Sequence, residues 1–136
     1  MTLRGALLPV CLLLMTTVAG HAAESPEIAD RVRHWLMLVD KGDYGDSWFE
    51  AGVLFKTRIT ERDWMAKVAP VRGPLGALVS RTPASQQLAR TLPGLPDGDY
   101  DIIRFNSVFE HKKQAVETVV LQQEPEGWKV DGYFIK

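Results

Sequence analysis

Cysteine is nearly absent: Cys11 is the one thiol in 136 residues, and it falls in an apolar leader that the mature chain is expected to lose. What remains has no disulfide, no cysteine nucleophile and no thiolate metal site. Histidine is almost as scarce. His21 leaves with the leader, His34 precedes Trp35 in a helical pattern, and His111 adjoins Lys112 and Lys113 in a turn. Zinc or non-haem iron needs several imidazoles or carboxylates at helical or hairpin spacing, so no metal is expected. Positive charge is not in excess either. With Arg4 gone, 15 basic residues face 17 acidic ones and the formal charge is −2. A near-neutral, mixed composition lacks the basic stripe that nucleic acid or an anionic membrane requires, which leaves small molecules or proteins as partners. The chain has no Gly-x-Ser-x-Gly elbow, no phosphate-cradling glycine loop and no dinucleotide fingerprint. Hydrolase and nucleotide chemistries are disfavoured, and no cofactor is implied.

Long hydrophobic runs are missing as well. The longest, residues 6–18, is broken by Pro9 and falls short of the roughly 17–25 apolar residues that span a bilayer. Arg4 before it and Gly20-His21-Ala22 after it complete the pattern of a secretory signal peptide over residues 1–22, with cleavage between Ala22 and Ala23. Leu8-Pro9-Val10 lacks the small residue expected just ahead of a lipidated cysteine, so no lipid anchor is expected at Cys11. Export to the periplasm or beyond follows, with no stable membrane insertion after cleavage. Residues 23–136 make one domain, large enough for a modest core without staples.

What the mature chain does have is a change of period. Ser25-Pro26 opens a helix, through a hydroxyl that can accept an early N–H and a proline where no donor is needed. Ile28, Val32, Trp35, Leu36 and Val39 form its apolar stripe, and Lys41-Gly42 predicts its end. A second helix is predicted from Asp43, with Tyr44, Trp48, Ala51 and Phe55 on one face. Thr60 with Asp63 predicts a capped third helix through Trp64 and Val68. Period two then takes over, with a strand expected between Gly76 and Leu92 and another in which Ile103, Phe105, Ser107 and Phe109 share a face. Residues 114–135 read as a hairpin, turning at Glu124-Pro125-Glu126-Gly127. Helices followed by antiparallel strands predict an α+β domain: about three helices packed on a curved sheet of about four strands.

Certain segments are shared with a known family. They include Trp35-Leu36, Val39-Asp40-Lys41-Gly42-Asp43-Tyr44, Ser47-Trp48, Phe55-Lys56 and Arg72-Gly73-Pro74-Leu75-Gly76. Further on come Leu92-Pro93-Gly94, Pro96-Asp97-Gly98, residues 115–119, Trp128-Lys129-Val130 and residues 132–136. In this order they resemble the exported bacterial family called domain of unknown function 4019. Asn106 stands where a threonine is expected and Glu126-Gly127 where Asp-Gly is expected. The resemblance supplies no catalytic residue. By analogy its order is similar to the cystatin-like cone of nuclear transport factor two and ketosteroid isomerase, in which a bent sheet and a helix enclose a pocket used in different ways.

Several constellations carry two readings. Asp97, Asp99 and Asp101 alternate like the start of a calcium loop, but Ile102 and Val108 occupy its glycine and glutamate places, so a solvated turn is expected. Asp40, Asp43 and Asp46 read as helix punctuation. Glu117, Asp131 and Tyr133 could move a proton beside a carbonyl if they faced a greasy cavity. The expectation is that they face solvent, with Glu117 pairing to Lys129, and with Trp128, Val130 and Phe134 on the opposite face. Arg72, Arg81 and Arg104 are candidate polar markers of a pocket mouth or dimer face. The aromatic residues are expected to be mostly core, with a pocket lining as the second reading. The resulting candidates for ligand binding are Trp48, Arg72, Arg81 and Tyr133. Two functions are compatible with these residues. One is a non-catalytic module for a small apolar or acidic ligand or an envelope protein, with a possible homodimer through the sheet. The alternative is a proton-transfer enzyme of isomerase or hydratase type.

Overall fold

A computed structural model describes residues 25–136; the leader, its cleavage point at Ala22 and Ala23, and Cys11 lie outside the described residues. Helix α1 (Pro26–Lys41) begins where the Ser25 hydroxyl accepts the Ile28 N–H at 3.3 Å and ends at Gly42, whose φ of 80° is the left-handed exit. The stripe from Ile28 to Val39 is buried along its length. The next apolar stripe belongs to two helices instead of one: α2 (Tyr44–Glu50) and α3 (Val53–Arg58). The break has a cause outside the segment. Gly52 donates its N–H to Val130 O at 2.8 Å, and the next free amides meet carboxylates of the sheet, Val53 N–H on Glu124 and Phe55 N–H on Asp131. A β-carbon at Gly52 would overlap Asp131 Oδ1, so only glycine lets the chain approach the sheet this closely. Helix α4 (Glu61–Arg72) is capped as the sequence predicts, with the Thr60 hydroxyl accepting the Asp63 N–H at 3.2 Å.

After a 3-10 turn at Gly73–Leu75 come four strands: β1 (Leu78–Ala89), β2 (Tyr100–Phe109), β3 (Lys112–Glu124) and β4 (Gly127–Ile135). They form a curved, open antiparallel sheet in the order β1-β2-β3-β4. The fold is α+β, with the four helices layered on one sheet face. Ile103, Phe105, Val119, Leu121 and Val130 meet Val32, Trp35, Leu36 and Val39 in the core. Trp35 anchors the aromatic part, 6.3 Å from Phe55 and 5.5 Å from Tyr133 between ring centroids. Its indole N–H donates to Ser47 O at 2.8 Å, and that of Trp64 donates to Ser47 Oγ at 3.0 Å, so the buried tryptophans spend their polar atoms locally.

Strict alternation fails in β4. Val120 pairs with Gly132 but Leu121 pairs with Val130, which leaves Asp131 as an extra residue. A bulge of this kind resets which face follows. Val130 before it and Tyr133 after it therefore both face the helices, while Phe134 turns to the other face and is 59% exposed. The expected grouping of Val130 with Phe134 is corrected by this one inserted residue. Among the described residues no helix is long and apolar enough to cross a membrane.

Candidate functional site

Glu117 sits in the middle of β3 at a position facing the helices, and it is fully buried. This corrects the expectation of a solvent-facing carboxylate paired with Lys129. Register explains the difference: Glu117 lies opposite Phe105 on β2 and Ile135 on β4, on the inward side of the pleat. Four donors converge on it. Arg81 on β1 approaches side-on, Nε to Oε1 at 2.7 Å and Nη2 to Oε2 at 3.0 Å. Ser107 Oγ donates to Oε1 at 2.5 Å, and Tyr133 OH donates to Oε2 at 2.5 Å. A carboxylate has about four lone-pair sites, so this one is saturated.

The outer end of the Arg81 guanidinium grips Asp40 at the C-terminal end of α1, Nη1 to Oδ2 at 2.9 Å and Nη2 to Oδ1 at 3.0 Å. Asp40 also accepts from Arg72 Nη2 at 3.1 Å, while Arg72 Nη1 donates to Gly76 O at 2.6 Å. The Arg72 guanidinium lies 4.4 Å above the Phe109 ring and is buried. The chain Tyr133–Glu117–Arg81–Asp40–Arg72 thus binds α1, α4 and all four strands, Ser107 supplying β2. Two guanidinium groups balance two carboxylates. Burial works against charge on Arg81, but hydrogen bonds and charge from Asp40 and Glu117 outweigh it and hold the guanidinium above its usual value. For Tyr133, burial and the adjacent Glu117 charge push the phenol above its usual value, so it remains a neutral donor.

Arg81 also lines a cavity of about 300 Å³ between α1 and the β1-β2 hairpin, with Ala29, Val32, Leu36, Pro83 and Phe105 as its apolar walls and Arg33 beside them. Four of the five Arg81 N–H groups are spent on Asp40 and Glu117. The fifth, on Nη1, has no acceptor among the described residues.

Asp131 lies elsewhere. Its bulge turns it toward α3, where Oδ1 accepts the Phe55 N–H at 3.2 Å while Oδ2 is buried without a partner. Burial, with a smaller push from Glu124, raises its carboxyl to about 6, against the pull of the Phe55 N–H and Arg58. The group is thus neither the outward acid expected from strict alternation nor a partner of Tyr133. A carboxylate raised in the folded state costs stability when it ionises. That cost is absent below about pH 4, grows through pH 4–6 and is complete above. Asp131→Asn keeps the acceptor for Phe55. It is expected to be about 1–2 kcal/mol more stable than the parent at pH 7.5, after allowing for screening of a half-buried group, and equal to it near pH 3.5. Urea midpoints at the two pH values check this.

Of the candidates from sequence, Arg72, Arg81 and Tyr133 fall in one network and Trp48 does not. Trp48 donates its indole N–H to Ile59 O at 2.8 Å and carries Lys56 5.6 Å from its ring, within the helical layer. Arg104 is exposed on the opposite sheet face, away from the cavity. Asp40 acts as a network anchor more than as helix punctuation. Ser107 is the second residue missed, although a lone hydroxyl amid the inward Ile103, Phe105 and Phe109 was a visible signal. Asp101 is a fully buried strand residue that takes Gln86 Nε2 at 2.6 Å, so the aspartate alternation is not a single solvated turn. Burial raises its carboxyl, with the Gln86 bond opposing. Asp99 pairs with Arg90 at 3.0 Å.

No curated protein matches the chain. The family model described as protein of unknown function (DUF4019) matches residues 31–133, from the first turns of α1 to Tyr133, and so takes in every residue of the buried network. The chain belongs to the DUF4019 family of proteins of unknown function.

Proposed function

We propose that this protein is an exported, periplasmic binding module that holds a small apolar molecule in the cavity between α1 and the β1-β2 hairpin, without catalysing a reaction on it. The observation that carries the reading is the placement of Arg81. An apolar groove, at the lower end of the size range for ligand sites, ends on one donor that is rigidly held and not fully spent. Convergent polar groups in an apolar pocket fix a ligand's orientation. The charge of Arg81 is already matched by Asp40 and Glu117, so an added carboxylate would meet two existing ones. This favours a neutral acceptor such as a carbonyl, ester or hydroxyl over an acidic ligand.

The proton-transfer alternative finds little support. Glu117 has no lone pair left for a substrate, the Tyr133 hydroxyl is committed to a hydrogen bond with Glu117, and Asp131 is engaged with α3. The test of the binding reading is a neutral apolar fluorophore, N-phenylnaphthylamine. The full chain is expected to bind it, and Ala29→Phe, which places a ring in the groove, is expected to lose at least about tenfold in affinity. Equal binding by both proteins contradicts the reading.

A further inference from the structure

The sheet face away from the helices carries a pattern that the mixed composition hides. Register lines set Arg104 beside Thr118 and Phe134, Asn106 beside Val116, and Gln122 beside Lys129. Lys136 exchanges both backbone hydrogen bonds with Val116 and so joins the same face. Lys113 and Lys136 flank a shallow polar depression there with Ser80, Thr82 and Asn106. None of Arg104, Lys113, Lys129 and Lys136 makes an ion pair among the described residues. Of the strand positions on this face only Glu124, at the tip of β3, is acidic, and it is committed to the Val53 N–H. Between the cations lie exposed Phe134 and Val116.

We propose that this face docks an acidic protein segment bearing apolar side chains, a partner distinct from the cavity's ligand. Charge complementarity selects the occupant. A second copy would set cations against cations, which is costly at close range. Phe134 lies back over Gly132, whose β-carbon would fall 3.4 Å from its ring, so it does not stand up as a wedge to insert into lipid. Strand addition at β1 is obstructed, because Pro83 lacks an N–H and irregularities follow Leu78 and Pro83. The part of the face where all four strands run side by side, about seven residues long at a strand spacing of about 4.8 Å, offers roughly 450 Å². That is below the ~800 Å² per partner of a standard stable interface, so the association is transient and salt-sensitive.

The test is an amide NMR titration of the full chain with a random glutamate–tyrosine copolymer. Shifts are expected at Arg104, Val116, Lys129 and Phe134, with the affinity falling at least about tenfold between roughly 0.05 and 0.3 M salt. The Arg104→Glu, Lys129→Glu double variant is expected to lose at least about tenfold. Phe134→Ser is expected to weaken binding of the copolymer but not of polyglutamate. Shifts confined to the helices, binding untouched by the double variant, or binding to phosphatidylglycerol vesicles without binding to the copolymer would overturn the proposal.

Discussion

Arg81→Met is expected to lower the unfolding free energy by about 3–5 kcal/mol, the usual penalty for stripping the partner from a buried charge. The loss is large because Glu117 loses its one cationic partner and Asp40 loses one of its two. Glu117 is fully buried and Asp40 partly so, with side-chain exposures of 0% and 18%. For a domain of this length the fall in Tm is about 12–20 °C, read by thermal unfolding at neutral pH. Arg104→Met on the exposed face provides the control, and its effect should stay within about 0.5 kcal/mol. A similar small effect at Arg81 would mean that the network is not a structural spine.

Asp40→Asn separates two accounts by sign. If Asp40 only punctuated α1, its carboxylate near the helix C-terminus would oppose the helix dipole, and removing the charge would gain about 0.3–1 kcal/mol. In the network it is the counterion of both Arg72 and Arg81, and Arg72 has a side-chain exposure of only 4%. Neutralising it is expected to cost about 2–4 kcal/mol, since two guanidinium groups then share the single charge of Glu117. Urea denaturation at pH 7 decides between gain and loss.

Local signals carried the helices well and the sheet partly. The Ser25 and Thr60 caps and the Gly42 exit depend on residues within one turn, so the ends of α1 and the start of α4 were legible. The break between α2 and α3 was not, because its cause is a pair of carboxylates more than 70 residues further along the chain. The bulge at Asp131 is likewise a property of pairing. Nothing in Trp128-Lys129-Val130-Asp131-Gly132-Tyr133 fixes which residue is extra until β3 lies beside it. The inward place of Glu117 is hidden in the sequence for the same reason. A lone glutamate in an alternating strand looks solvated, and only register brings Arg81, Ser107 and Tyr133 to it. Arg72, Arg81 and Tyr133 are legible in the sequence only as residue types suited to a pocket. Their role as one hydrogen-bonded, charge-balanced network is visible only in the fold, where Arg72 Nε alone of the Arg72 nitrogens stays buried without a partner.

That set gives the cavity its character. The network cancels its own charge, holds Arg81 in place at the cavity and leaves one of its N–H groups without an acceptor among the described residues, so the site should discriminate against anions of the same shape. The most direct measurement compares N-phenylnaphthylamine with its sulfonated analogue, anilinonaphthalene sulfonate, on the folded full chain and on Ala29→Phe. The neutral probe is expected to bind at least about tenfold tighter than the sulfonate and to be lost from Ala29→Phe. Tighter binding of the sulfonate, or equal binding of the neutral probe by both proteins, would contradict the binding reading.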